Sequence, residues 1–174
     1  ITCHRRENFG KPIRQILSAI RELARAEKNT VFIFTTHPNP EVQSAIKDIL
    51  KEPLANLFLT SPMNYQEMVF LMKNCHFAMT DSGGLQEEAP ALGKPVLVLR
   101  RTTERPEAVD AGTAKLIGTD SADILREASL LLDNAEAYEE MARAHNPFGD
   151  GQASTRILDA CRSFLNERRH AAAE

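Results

Sequence analysis

The sequence has few cysteines, no long apolar run and no strong excess of charge. Its three cysteines, Cys3, Cys75 and Cys161, are far apart, odd in number and without metal-ligand spacing. This pattern favours reduced thiols in a cytoplasmic protein over a disulfide framework. No apolar run approaches the length that crosses a bilayer. Without such a run, we expect no membrane partner. The formal net charge is -3 with both signs interspersed, which argues against a nucleic-acid partner.

The chain has 174 residues, of which 43% are hydrophobic, so it is long enough and apolar enough to fold as one domain. No low-complexity block and no internal repeat interrupts it. The first residue is Ile1 rather than methionine, and the chain opens within a predicted strand end. We therefore interpret the sequence as part of a longer protein.

Short apolar runs alternate with amphipathic helical segments along the chain. The predicted strands are 1–3, 31–35, 57–59, 77–79, 95–99 and 114–117. Helix signals lie between them: Pro12 and Pro40 suit first helical turns, and Asn64 with Glu67 forms a capping-box pattern. Asn39 can cap the helix that Pro40 begins, and Asp120 or Ser121 can cap a later one. A short helix is predicted over 85–92, and the last helix from about 152 to 166. This alternation predicts an α/β fold, a Rossmann-like parallel sheet with helices on both faces.

Polar clusters follow the predicted strands. They are His4–Asn8, His37–Asn39, Asp81–Gly84 and Arg101–Glu107. Ligands of parallel α/β sheets bind beyond the carboxyl ends of the strands, where these clusters meet. Because they are rich in arginine, histidine, serine and glycine, they indicate a phosphorylated ligand.

The glycine-rich turn after the strand at 77–79 is the strongest single candidate. Gly83 and Gly84 allow a ligand to approach the backbone, and Ser82 adds a hydroxyl for a phosphate oxygen. Glu88, on the following helix, is placed to accept hydrogen bonds from sugar hydroxyls. The alternative is an ordinary helix start in which Asp81 or Ser82 is the N-cap.

Five segments stand in the order found in one known family. They are His4–Asn8, Thr80–Pro90, Gly93–Arg100, Thr102–Glu107 and Asn146–Gly151. With them, the chain as far as Cys161 resembles the C-terminal half of the bacterial non-hydrolysing UDP-N-acetylglucosamine 2-epimerases. The resemblance implies the two-domain GT-B architecture, with the active site in the cleft between this domain and an N-terminal domain of the same chain.

The resemblance also implies a reaction. Family members interconvert UDP-N-acetylglucosamine and UDP-N-acetylmannosamine by eliminating UDP and adding it back, and they serve polysaccharide synthesis in the cytoplasm. We accordingly expect UDP and UDP-N-acetyl sugars as ligands, no cofactor and no metal, and a homodimer as the full-length protein. The candidate acid/base carboxylates of the family lie in the N-terminal domain, so the fragment alone is expected to be inactive.

Site residues follow from the resemblance position by position. The implied roles are phosphate binding for Ser82, Gly83 and Gly84, ribose binding for Glu88, a part in the UDP site for Arg105, and catalysis for His4. Met68 stands where some members place an aromatic residue against the uracil. Arg5 and His37 match positions of a second, regulatory nucleotide-sugar site in some bacterial members.

The predicted boundaries are a UDP-binding domain over residues 1–167 and a frayed or disordered tail over 168–174. Three other functions stay open: a GT-B glycosyltransferase domain, a hydrolysing 2-epimerase, and a nucleotide-sensing module without chemistry. Plainer roles also stay open for individual residues. Arg105 suits a surface ion pair, His37 suits a turn, and His4 suits a loop. Glu104 and Glu107 suit salt bridges or helix caps.

Overall fold

The computed structural model describes residues 1–171, with side chains described as far as residue 166. The strands are β1 (Phe32–Thr35), β2 (Leu57–Thr60), β3 (Ala78–Thr80), β4 (Val96–Val98) and β5 (Ala114–Leu116). The helices are α1 (Lys11–Ala26), α2 (Pro40–Ile49), α3 (Tyr65–Asn74), α4 (Gly83–Glu88), α5 (Pro106–Asp110), α6 (Ser121–Asp133), α7 (Ala135–Ala142) and α8 (Ala153–Ala171). Short 3-10 turns occupy Arg6–Asn8 and Pro90–Leu92.

All strand pairings are parallel, and Thr2 joins the two halves of the sheet. β1 pairs with β2, and β4 lies between β3 and β5. Thr2 forms single bridges to Thr35 at the end of β1 and to Thr80 at the end of β3. The spatial order is therefore β2, β1, the Thr2 segment, β3, β4, β5. The order of the strands reverses between the Thr2 segment and β3, which is where ligands bind in folds of this kind.

Alternate residues of the strands belong to two separate apolar clusters. In β4, Leu97 belongs to a cluster built with α1, α2 and α6, whereas Val96 and Val98 belong to a cluster that includes Met72 of α3 and Ala108 of α5. Successive side chains of a strand point to opposite faces of the sheet. Helices thus cover both faces, as the sequence predicts.

The predicted helix starts are largely confirmed. Asn39 caps α2 ahead of Pro40, Asn64 and Glu67 form the capping box of α3, and Asp120 caps α6. The short helix after the glycine-rich turn differs from the prediction, because it begins at Gly83 rather than Leu85. It ends at Glu88, two residues before Pro90, since proline cannot continue the hydrogen-bond ladder.

The last helix extends beyond its predicted end at Asn166, as far as Ala171. The tail predicted over 168–174 overlaps this helix, and residues 172–174 lie outside the described part of the chain, so its fraying stays a prediction. None of the helices within residues 1–171 is long and apolar enough to span a membrane.

Candidate functional site

Two arginine side chains converge on the start of α4. The point where a Cβ on Gly83 would lie is 3.7 Å from Nη2 of Arg5 and 4.0 Å from Nη2 of Arg105. The two arginines come from different loops, one after the Thr2 segment and one after β4. The first N–H groups of a helix lack intrahelical partners and carry a positive partial charge. The two guanidinium groups lie beside them and define a cationic position, within which Arg105 is paired with Glu87.

Ser82 and Glu88 lie next to the same helix start. The corresponding Cβ position on Gly84 is 3.9 Å from Oγ of Ser82 and 3.9 Å from Oε1 of Glu88. Ser82 occupies the N-cap position, but its side chain makes no capping hydrogen bond. Its backbone N–H instead donates to Oγ1 of Thr80 at 2.9 Å. Of the two N-cap candidates that the sequence offers, Ser82 therefore holds the N-cap position without a capping side-chain bond, whereas the Asp81 side chain bonds to another loop.

Arg105 is held in place by its neighbours. Its Nε donates to Oε1 of Glu87, so the ion pair that the sequence leaves open is present. Its backbone N–H donates to Oγ1 of Thr103 at 3.0 Å, and that hydroxyl donates to Oε1 of Gln86 at 2.5 Å. Glu87 and Gln86 both belong to α4, so the loop after β4 is tied to the helix beside which Arg105 lies.

His4 and His37 stack on each other at the edge of the site. Their ring centroids are 5.0 Å apart and the ring planes differ by 14°. Nδ1 of His37 accepts the N–H of Asn39 at 3.2 Å, so the other ring nitrogen carries the proton in the neutral form. Burial lowers the pKa of His4 from its ordinary value, Asp81 acts to raise it, and His37 and Arg5 lower it further. His4 is therefore neutral at pH 7, able to donate or accept a hydrogen bond.

Asp81 is the hub of the loop that carries His4 and Arg5. It is fully buried, and its Oδ2 accepts four hydrogen bonds from residues 3–8. Asn8, also buried, donates from Nδ2 both to Asp81 and to the carbonyl of Leu99. Both residues lie in polar clusters that the sequence predicts at the site, but neither is predicted to have a role of its own there. The signal available in the sequence was the polarity of both positions at neighbouring strand ends.

Arg100 connects the loop after the Thr2 segment with the loop after β4. It is 6% exposed, and its guanidinium contacts Glu7 and Glu104, with distances of 2.5 Å from Nε to Oε1 of Glu7 and 2.5 Å from Nη1 to Oε2 of Glu104. Glu104 is thus the salt-bridge partner that the sequence suggests. Because the guanidinium donates to both carboxylates, it fixes the loop that contains Glu7 relative to the loop that contains Glu104. This role of Arg100 is not predicted from the sequence.

Met68 is not among the side chains within 4 Å of the Cβ positions of Gly83 and Gly84. It packs against the second apolar cluster and lines a cavity of about 530 Å³ together with Leu71, Leu85 and Phe77. The lining residues include no lysine, arginine, aspartate or glutamate. This cavity is therefore unsuited to a phosphate. No group of three or more potential metal ligands occurs within residues 1–166.

The family model described as UDP-N-acetylglucosamine 2-epimerase matches residues 1–162. This chain belongs to that family. The curated UDP-N-acetylglucosamine 2-epimerase of Salmonella typhimurium is 49% identical over 164 residues, which are 94% of this chain and 43% of that protein. The family predicted from the sequence is thereby confirmed.

Solved structures of the epimerase family share the fold. The UDP-GlcNAc 2-epimerase of Neisseria meningitidis, bound to UDP-GlcNAc, has a TM-score of 0.87 at 46% identity and covers 93% of this chain and 43% of that one. The Methanocaldococcus jannaschii enzyme, in complex with UDP-GlcNAc and UDP, has a TM-score of 0.74 at 31% identity, over 93% and 44%. The α/β fold class is confirmed, and the chain spans less than half the length of these relatives.

Proposed function

We propose that this chain is the UDP-binding part of an enzyme that interconverts UDP-N-acetylglucosamine and UDP-N-acetylmannosamine. The convergence of Arg5 and Arg105 on Gly83 carries the proposal. A diphosphate needs cationic groups and N–H donors at one place, and a backbone without a Cβ lets the phosphate oxygens approach. The UDP complex of the Methanocaldococcus jannaschii relative supports the choice of ligand.

Each site residue has a task in this proposal. The backbone N–H groups at Gly83 and Gly84 and the hydroxyl of Ser82 bind phosphate oxygens. Glu88, near Gly84, accepts hydrogen bonds from the ribose hydroxyls. Met68 shares its cavity with Leu85 of α4, and a thioether can pack against a uracil ring.

His4 is the proposed catalytic residue of this chain. As UDP departs, negative charge develops on its terminal phosphate, and a hydrogen bond from the imidazole stabilises that charge. Stacking on His37 fixes the ring beside the loop that carries Arg5. Loss of UDP from the sugar and its return also require proton transfer at C2. The carboxylates proposed for that step belong to the N-terminal domain of the full-length enzyme.

Arg5 and His37 are also candidates for a regulatory nucleotide-sugar site. The pair His4 and His37 links that candidate site directly to the catalytic position. Control through it requires two ligand sites and two states of the domains. We likewise propose the homodimer and the cytoplasmic location as properties of the full-length enzyme.

Calorimetric titration with UDP tests the binding proposal. A Gly83→Ala chain is the sharpest variant, because its Cβ meets nothing closer than 3.7 Å and alanine favours a helix over glycine. We expect unchanged or higher thermal stability together with at least about tenfold weaker UDP binding, since the methyl occupies the phosphate position. Ser82→Ala should weaken binding less, and Ser44→Ala on α2 is the matched control.

The same titration can refute the proposal. Saturable UDP binding of equal affinity in the wild type and in Gly83→Ala would contradict a diphosphate at the start of α4. The chain alone is expected to bind UDP weakly and to leave UDP-N-acetylglucosamine unconverted. Measurable epimerisation by this chain would overturn the division of labour between the two domains.

A further inference from the structure

Asp81 is a buried carboxylate whose hydrogen bonds all go to one distant loop. Its Oδ2 accepts from the backbone N–H of His4 at 2.9 Å and of Arg5 at 2.8 Å. It also accepts from Nδ2 of Asn8 at 3.0 Å and from Sγ of Cys3 at 3.2 Å. Asp81 directly follows β3, whereas the donors follow the Thr2 segment, so the carboxylate joins the two sides of the switch point.

The carboxylate is not placed there for packing. A carboxylate that is buried with no ion-pair partner in the described part of the chain is unfavourable, and an apolar side chain would fill the position at lower cost. The second oxygen, Oδ1, is buried and has no hydrogen-bond partner among the described residues. Backbone N–H groups of His4 and Arg5 make up half of the donors. The interaction thus fixes the main chain at two residues whose side chains lead into the site.

The geometry leaves those two side chains at functional positions. From the fixed backbone, the His4 ring stacks on His37, and Nη2 of Arg5 comes within 3.7 Å of the Cβ position of Gly83. Gly83 itself is only two residues from Asp81. One carboxylate therefore sets the distance between the His4–Arg5 backbone and the start of α4.

We propose that Asp81 is a positioning residue of the nucleotide site, which holds His4 and Arg5 against the phosphate-binding turn without touching the ligand. This inference rests on the proposed function, because it assigns His4 and Arg5 to the UDP site. A purely structural role for Asp81 would instead affect folding alone and leave the folded protein with full affinity.

The charge of Asp81 also provides an independent readout. The titratable and charged groups that act on His4 are Asp81, His37 and Arg5. Of these, only Asp81 acts to raise the pKa of His4, so loss of its charge should lower that pKa further. Nuclear magnetic resonance of the histidine ring protons measures this directly.

The test compares Asp81→Asn with the wild-type chain, with Asp133→Asn at the exposed end of α6 as the matched control. Asparagine keeps the shape and one acceptor oxygen but loses the charge. We expect Asp81→Asn to lower the pKa of His4 and to weaken UDP binding by roughly tenfold or more, when affinity is corrected for the folded fraction. Asp133→Asn should change neither quantity.

Unchanged UDP affinity and an unchanged His4 pKa in folded Asp81→Asn would overturn the inference. If the variant does not fold, amide hydrogen exchange of the wild-type chain decides. The His4 and Arg5 amides should then exchange at least about tenfold more slowly than in an unstructured chain, and unprotected amides would contradict the inference. If the wild type fails to bind UDP, the proposed function fails, while the pKa and exchange results still test the role of Asp81.

Discussion

The layer of α1, α2 and α6 and the polar edge of the sheet, formed by the loops after the Thr2 segment, β3 and β4, both contain buried side chains, but these side chains are held by different interactions. In the layer, Ile16, Leu17 and Ile20 of α1 are fully buried among other apolar side chains. At the edge, Asp81 and Arg100 are buried and bonded to loops far away in the sequence. Apolar packing is non-directional and scales with area, whereas each hydrogen bond at the edge depends on one geometry. Packing in the layer therefore stabilises the fold, whereas the hydrogen bonds at the edge fix the positions of the site residues.

The largest expected effect is a loss of stability, without a loss of UDP affinity, when a side chain of the apolar layer is truncated. Leu17→Ala should lower the free energy of unfolding by about 2–5 kcal/mol, because it removes buried methylene groups and leaves a cavity. The folded variant should bind UDP as the wild type does. Urea denaturation followed by circular dichroism measures the first quantity and calorimetry the second.

Leu130→Ala on α6 is the control for that change, since Leu130 is 39% exposed and its truncation should cost far less. A drop in UDP affinity for folded Leu17→Ala would mean that the layer and the edge are not separable.

The second-largest expected effect is a loss of UDP affinity, with little loss of stability, when a side chain of the polar edge is truncated. Arg105→Ala should weaken UDP binding by about tenfold to hundredfold, because a charge-assisted hydrogen bond to phosphate is lost. Its unfolding free energy should change little, since the ion pair with half-exposed Glu87 is of small energetic value. Arg101→Ala, in the same loop and exposed, is the matched control. Equal losses of affinity in both variants would indicate general electrostatic attraction rather than a defined contact.

The smallest effect concerns acid stability of the edge. The hydrogen bond from Arg100 lowers the pKa of Glu104 from 4.5 to about 2. Because the folded pKa is the lower one, the contribution is fully present above pH 4.5 and is lost as the pH falls towards 2. Glu104→Gln should therefore melt at a lower temperature than the wild type at pH 6, and the difference should shrink by pH 3.

Thermal melts at intervals between pH 6 and pH 3 measure this convergence, with Glu107→Gln on α5 as the control. Parallel melting curves for the wild type and Glu104→Gln across that range would contradict a Glu104 contribution through Arg100.

The sequence predicts the layer better than the edge for a physical reason. Helical periodicity marks the buried face of α1, and cap residues such as Asn39 and Asn64 act within four residues of their own position. Local sequence patterns are therefore enough to predict the helices and strands and the faces that they bury. The alternation of strands and helices likewise predicts that the polar clusters meet at one edge.

The partners within that edge do not follow from local pattern. From its residue type and its place before a helix, Asp81 resembles an N-cap, and Arg100 resembles an ordinary loop residue. Their actual partners depend on which strands are neighbours and on the direction of each side chain. Local sequence patterns determine neither of these. The sequence predicts a phosphate site at Ser82, Gly83 and Gly84, and the family resemblance adds Arg105. It assigns Arg5 to a regulatory site, whereas the structure brings Arg5 beside Gly83.

The most direct test of the central claim is a UDP titration of the isotope-labelled chain, followed by amide and phosphorus resonances. A diphosphate at the start of α4 predicts that the amides of Gly83, Gly84 and Arg5 shift most, together with both phosphorus signals. Shifts confined to the apolar cavity beside α3, or none at millimolar UDP, would contradict the assignment of the nucleotide site.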